Sequence, residues 1–370
     1  MRQINKRWTQ KGLALGLALT LSVSLAACGK KDNKEAADTS KALATYKGGE
    51  ITQAEFDKFM GVNKVLDPQM ASALESPEYK GFIEKQMLTQ EAVLEILSKE
   101  ATDTAKTEGE KKATEYLEPI KSWDKTQKDS FDQKLKDAKI TQKDVEDYFK
   151  QTFVVMADMD AKVTDQQVKD DYDKRLKEDP HFYDIVTVRH ILVSTKDPAD
   201  PEGKKVLRTD EDALKRAKEV QDKLNKGGDF DALAKEYSDD PGSKENGGKY
   251  ENQSVGNSSF VPEFTKAMAE LPVNKVSDPV KSDYGYHVMR VDTRKTETLD
   301  EKKDEIRSTL GQSLINDFME KKLPDYEFKS NLPEPSMPAA PETSAAPGAG
   351  ASPGASAAPS ASPSAEPSKK

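Results

Sequence analysis

The chain has 370 residues, 33% of them charged, with a formal net charge of −9 at pH 7. That length is enough for two domains, and the acidic balance argues against nucleic acid as a partner. A single cysteine excludes an intrachain disulfide, so the folded part must be held by its apolar core.

Residues 1–27 read as a leader rather than as part of a fold. Arg2, Lys6, Arg7 and Lys11 make its start positive, and Leu13 to Leu25 form an apolar stretch too short for an ordinary transmembrane helix. Leu25-Ala26-Ala27-Cys28 then resembles the lipobox of bacterial lipoproteins. The resemblance implies cleavage before Cys28, diacylglyceryl on its sulfur, and a chain lipid-anchored on the extracytoplasmic face of the cell membrane. Two acyl chains make a stable anchor where one would not. Losing the four leader cations takes the net charge to −13. Residues 28–42 are small and polar, as a flexible tether would be.

Residues 43–182 read as helical. A short strand with a Gly48-Gly49 turn opens the region, and Thr52-Gln53-Ala54-Glu55 is a capping box that starts a helix. Phe56, Phe59, Met60, Asn63 and Leu66 repeat at helical spacing, as do Tyr79, Phe82, Ile83, Met87, Leu94 and Leu97. Two looser cap signatures, Thr141 to Asp144 and Thr164 to Gln167, precede helices that carry Val145, Tyr148 and Phe149, then Val168, Tyr172 and Leu176.

Residues 183–293 alternate strand and helix signals. Ile185 to Val193 is rich in β-branched residues. Leu214, Ala217, Val220 and Leu224 form a helical stripe that ends at Gly227-Gly228, and Phe230, Leu233, Ala234 and Tyr237 form a shorter one. Pro262 suits the first turn of a third helix, with Phe264, Ala267, Met268 and Leu271 on one face. Tyr284 to Val291 reads as the closing strand. The pattern predicts an α+β unit with an antiparallel sheet.

Residues 294–331 add a helix capped at Thr298, with Ile306, Leu310, Leu314 and Phe318 on one side, and a final strand at Asp325 to Phe328. This pair reads as the partner of residues 43–182, so the α+β unit would be inserted in a mostly helical domain made from both ends of the folded chain. Residues 332–370 are almost entirely Pro, Ala, Ser, Gly and Glu, and are expected to stay disordered.

Two of the chain's three histidines fall in matching strand contexts, Val188-Arg189-His190-Ile191-Leu192-Val193 and Tyr284-Gly285-Tyr286-His287-Val288. Between them lie Phe230 to Ser243, containing Ser238-Asp239-Asp240-Pro241-Gly242-Ser243, then Val261-Pro262-Glu263-Phe264 and Val276-Ser277-Asp278-Pro279-Val280. The ordered set resembles the parvulin-type peptidyl-prolyl isomerases. With the lipobox and the helical flanks, the whole chain resembles the PrsA-type foldase lipoproteins, which assist folding of secreted proteins.

The resemblance places His190 and His287 in the family's catalytic histidine pair and Asp240 at its Cys/Asp position. It puts Phe260 and Phe264 in the proline-binding pocket and Ser282 near the site; Met268 is a further candidate for the apolar wall. The family usually has a leucine-glycine pair where Tyr250-Glu251 stands, and a shorter loop between Gly248 and Phe260. Lys196 to Arg208 mixes acids with its bases, unlike the basic loop of phosphate-directed parvulins.

The resemblance implies an enzyme that twists X-Pro bonds of unfolded or partly folded exported proteins, with no cofactor and no metal. A network of His190, His287 and Asp240 is expected, with nucleophilic attack by Asp240 as a second option. Histidines that merely bridge strands in a core are the alternative. Two other functions stay open: a holdase whose parvulin-like domain is catalytically silent, and a solute-binding lipoprotein, which would need repeated parallel strand-helix units. Homodimerisation is left open as well.

Overall fold

A computed structural model describes residues 41–200 and 204–334. The leader, Cys28, most of the tether and the tail from residue 335 lie outside the described residues.

β1 (Ala42–Tyr46) and β2 (Gly49–Thr52) form the expected hairpin, which turns through Gly48 at φ +103°. Thr52 and Glu55 close their capping box at the head of α1 (Gln53–Leu66). Then follow α2 (Pro68–Ala73), α3 (Pro77–Glu100), α4 (Asp103–Leu117), α5 (Lys125–Asp137), α6 (Gln142–Lys162) and α7 (Asp165–Glu178). The looser boxes at Thr141 and Thr164 are both made, with Asp144 and Gln167 reaching back to the cap nitrogens. α4 and α5 escape an apolar-stripe reading because they bury little: Ala105, Gly109 and Ala113 in one, Leu135 in the other.

The α+β unit runs through β3 (Asp184–Ser194), α8 (Asp210–Asn225), α9 (Phe230–Tyr237), β4 (Lys249–Ser254), α10 (Pro262–Glu270), β5 (Val280–Ser282) and β6 (Gly285–Thr296). Its strands make an antiparallel sheet in the order β4-β3-β6-β5. The two long central strands alternate their side chains between two apolar layers. Ile191, Val193, Tyr286 and Val288 face α8 and α9, while Val186, Val188, Met289 and Val291 face α10.

β4 occupies what the sequence suggested was an enlarged loop. Its residues are polar, and pairing with β3 rather than propensity makes it a strand. A register shift between Val186 and Val188, with Asn252 at φ +54°, absorbs the extra length as a bulge.

α11 (Leu299–Asp317) packs on α6 and α7. The last strand is not at Asp325 to Phe328. Pro324 has no N–H for a ladder, and Leu323–Tyr326 forms a 3-10 turn closed by Glu327 at φ +53°. β7 (Lys329–Ser330) follows and adds to β1, giving a second sheet ordered β2-β1-β7. The two ends of the described chain thus share one sheet and one core, in which Ile51, Phe56, Leu88, Ala92 and Ile96 meet Val155 and Ile315. The class is α+β, an antiparallel sheet with its helices set within a helical framework. Among the described residues no helix is long and apolar enough to cross a membrane.

Gly109 marks where α4 lies closest to α6: a Cβ there would stand 2.4 Å from Val154 Cα and 2.7 Å from the Phe153 carbonyl carbon. Gly→Ala inside a helix ordinarily gains up to about 1 kcal/mol. Here backbone must separate from backbone, so Gly109→Ala should instead cost about 1–3 kcal/mol in denaturant unfolding. A stabilised variant would contradict this packing.

Candidate active site

His190 and His287 sit on adjacent central strands. In the β3–β6 register His190 opposes Met289 and His287 opposes Leu192, so the two imidazoles are diagonal neighbours on one face. Both are buried, at 5% and 4% exposure, and their Nδ1 atoms lie 3.2 Å apart. Phe264 lies beneath both, edge-on, with ring centroids 5.2 and 5.3 Å away.

The loop after α9 brings the carboxylate. Its three polar residues divide the work. The Ser238 hydroxyl accepts from Leu192 N–H at 3.3 Å, and Asp239 N–H donates to the Leu192 carbonyl at 2.8 Å, which sews the loop to β3. The Asp239 carboxylate takes Ser194 N–H and the Arg208 guanidinium. Asp240 is left to face the site. Its Oδ2 accepts from His190 Nε2 at 2.9 Å, from the Tyr250 hydroxyl at 3.0 Å and from the Ser243 hydroxyl; Oδ1 accepts from Gly242 N–H at 3.1 Å. Burial pushes the carboxyl up, but the bonds from His190 and Ser243 outweigh it and hold Asp240 well below the usual carboxylate range.

One charge at the end of the chain orders the protons. An ionised Asp240 needs a donor at His190 Nε2, which leaves Nδ1 of a neutral His190 as an acceptor. His287 must then donate from Nδ1 and accept at Nε2, where the Ser282 hydroxyl stands 2.8 Å away. Ser282 in turn accepts from Tyr284 N–H at 3.2 Å. The hydrogen-bond chain fixes both tautomers without a conflict.

Gly248 lets the β4 edge come in this close. It has φ +71°, its carbonyl accepts from His190 N–H at 2.8 Å, and a Cβ would lie 2.1 Å from the His190 carbonyl oxygen.

The expected apolar wall is a stack rather than a surface. Phe264 and Met268 are fully buried, at 1% and 0%. Phe260 lies 4.5 Å from Phe264 between ring centroids and remains partly exposed, so a ligand meets Phe260 with Phe264 behind it. Met268 belongs to the layer of Val186, Val188, Met289 and Val291 and offers a ligand no surface. His190, His287, Asp240, Phe260, Phe264 and Ser282 all converge on one place.

Two residues escaped the sequence reading. Ser243 stands in the sequence only as the end of a loop motif, although its three-residue spacing from Asp240 suits a local side-chain bond. Tyr250 registered only as a departure from the usual leucine. Its ring stands 5.1 Å from Phe260, edge-on, beside His190.

Comparison with known proteins fits this geometry. A family model described as PPIC-type PPIASE domain matches residues 174–295. Foldase protein PrsA 4 of Bacillus cereus is 32% identical over 311 residues, covering 83% of this chain and 88% of that one. The chain belongs to the PrsA foldase family. The foldase protein PrsA of Caldanaerobacter subterraneus is 29% identical over 318 residues, 83% of this chain and 90% of that one. A solved peptidylprolyl isomerase (PrsA) from Bacillus cereus shares 29% identity with a TM-score of 0.34, covering 78% of this chain and 92% of that one. The protein is a parvulin-type peptidyl-prolyl cis-trans isomerase.

The buried pair predicts a pH-dependent stability. Burial, then the neighbouring His190, push His287 down to about 3 from an ordinary 6.5. The unfolded chain binds the proton first, so this contribution is whole above pH 6.5 and is lost as pH falls towards 3. Asp240, also depressed, loses its contribution in the same direction at lower pH. Unfolding followed by denaturant from pH 7 to 4.5 should show stability falling by up to about 1.4 kcal/mol per unit from this one group. His287→Gln should flatten that slope; an unchanged slope would place the acid sensitivity elsewhere.

Proposed function

We propose that this protein is a lipid-anchored, extracytoplasmic foldase that catalyses cis/trans isomerisation of X-Pro bonds in exported proteins. The proposed isomerase domain is residues 183–293, held by a helical domain built from residues 43–182 and 294–331. The observation that carries the catalytic part is the uninterrupted hydrogen-bond chain from Asp240 through His190 and His287 to Ser282, lying over Phe264.

Rotation about an X-Pro bond meets a barrier of about 20 kcal/mol because amide resonance must be broken. No bond is made, so the site must favour the twisted amide over both planar forms. A twisted amide is less polar than a planar one, which suits a pocket floored by Phe264 and faced by Phe260. The network contributes a fixed electrostatic environment: a carboxylate at one end, two oriented imidazoles and a hydroxyl at the other. Nucleophilic attack by Asp240 fits poorly, since Oδ2 already serves three donors and Oδ1 a fourth. Lowering the barrier by about 4 kcal/mol gives roughly a thousandfold rate gain.

The clients are unfolded or partly folded chains rather than phosphoproteins. In the segment before α8, Lys205 pairs with Asp197 at 2.7 Å and Arg208 with Asp239, so these cations are already engaged. Anchoring rests on the lipobox at Cys28 and the leader before it.

His190→Ala and Asp240→Ala should each lower kcat/KM on X-Pro peptides, and the rate of proline-limited refolding, by about tenfold or more. Rates equal to those of the unaltered protein would leave a holdase with a silent domain as the better reading. Cys28→Ala should move the expressed protein from the membrane fraction to the soluble one; continued membrane association would remove the lipid anchor from the account.

A further inference from the structure

Three independent contacts put Tyr250 in the site. Its hydroxyl is 3.0 Å from Asp240 Oδ2, its ring meets Phe260 edge-on at 5.1 Å, and it lies 5.6 Å from the His190 ring at a 40° tilt. It is carried by β4, whose pairing with β3 sets Tyr250 opposite Val188, two residues from His190. A leucine could supply bulk there but neither an aromatic face nor a donor.

We propose that Tyr250 is a positioning and specificity-determining residue of the isomerase site: its hydroxyl fixes Asp240, and its ring joins Phe260 in receiving the prolyl ring of the substrate. The inference rests on the isomerase reading of the site.

Each half follows from local chemistry. Asp240 Oδ2 takes three donors, and Tyr250 is the one that comes from a different strand than His190 and a different loop than Ser243. It therefore ties the Asp240 loop to the β4 edge. A phenol donor draws charge from the carboxylate and so weakens its pull on the His190 proton. The donor is permanent, because burial and the charge of Asp240 push the phenol up to about 12. Phe264 is sealed, whereas Phe260 and Tyr250 are each partly exposed. A prolyl ring, whose C–H bonds are polarised by the adjacent amide nitrogen, packs well on such aromatic faces.

The test separates hydroxyl from ring in the full chain. Tyr250→Phe keeps the ring and should lower kcat about fivefold with KM little changed, because the lost bond acts on the network. In an Asp240→Asn background the same change should have little further effect, the sign of direct coupling. Tyr250→Leu should match the loss in kcat and add about a fivefold rise in KM for X-Pro peptides. Thermal melts of both variants check that the fold is retained, and a merely structural tyrosine would neither lower kcat selectively nor couple to Asp240. Tyr250→Phe with unaltered kcat, or with its full loss of kcat repeated in the Asp240→Asn background, would overturn the hydroxyl's role; Tyr250→Leu with the KM of Tyr250→Phe would overturn the ring's. An unaltered chain with no isomerase activity would overturn the underlying reading and this inference with it. An active one matched by both variants overturns the inference alone.

Discussion

The hydrogen bond from His190 Nε2 to Asp240 sets the direction of every other bond in the site. Two buried imidazoles at 3.2 Å could settle into several tautomer combinations, some with lone pairs facing each other. A single permanent charge at one end removes the choice. The rest of the site serves to keep that charge in place: Ser243 and Tyr250 satisfy its other lone pairs, and Gly242 N–H takes the second oxygen. A carboxylate left half-satisfied at this depth would be costly, and one satisfied four times over is cheap to keep. The same saturation makes it an electrostatic anchor rather than a reacting group.

Much of this could be read from the sequence, and the misses share a cause. The strand holding His190 was legible because Ile185 to Val193 is rich in β-branched residues, and the one holding His287 because Tyr284 to Val291 repeats the same histidine context at the far end of the unit. α1, α6, α7 and α11 were legible because Thr52, Thr141, Thr164 and Thr298 write their caps into three or four residues. α4 has no such stripe, since its contact with α6 uses glycine and alanine to bring backbones together, and close approach leaves no periodic apolar signal. β4 was hidden because an edge strand of Lys, Tyr, Glu, Asn, Gln and Ser owes its conformation to β3. Tyr250 was hidden with it: side-chain alternation cannot be assigned until the strand is recognised. Met268 failed in the opposite way. Its helical spacing placed it correctly beside Phe264, but periodicity gives the face of a helix and not the depth.

The helical framework closes by ladder and core together. β7 reaches β1 through two paired residues only, supplemented by Asn331 N–H to the Leu43 carbonyl at 2.7 Å and Lys47 N–H to the Tyr326 carbonyl at 2.6 Å. So short a strand would not hold alone. Ile315 of α11 and Leu323 bring apolar area into the core of α1 and α3, and that burial makes the pairing persist. Chain entry and exit of the α+β unit are thereby tied to one framework despite the long insertion between them.

The junction between framework and sheet reaches the site through α10. Asp184, at 2% exposure, begins β3 and accepts from His181 Nδ1 at 2.8 Å, from Arg294 and from Thr296. Burial pushes its carboxyl up, but those bonds hold it below the ordinary value. His181, with no role legible in the sequence, belongs to this cluster. Arg294 also donates to the carbonyls of Met268 and Leu271, at 2.8 and 3.1 Å, and so caps the C-terminal end of α10 with a cation where the helix dipole favours one. α10 carries Phe264 under both histidines. A charge cluster at the domain's root and the floor of its pocket are therefore two ends of one short helix. Arg294 thus fixes the end of the helix whose first turn packs beneath the imidazole pair, and in a close-packed interior that placement sets where Phe264 stands.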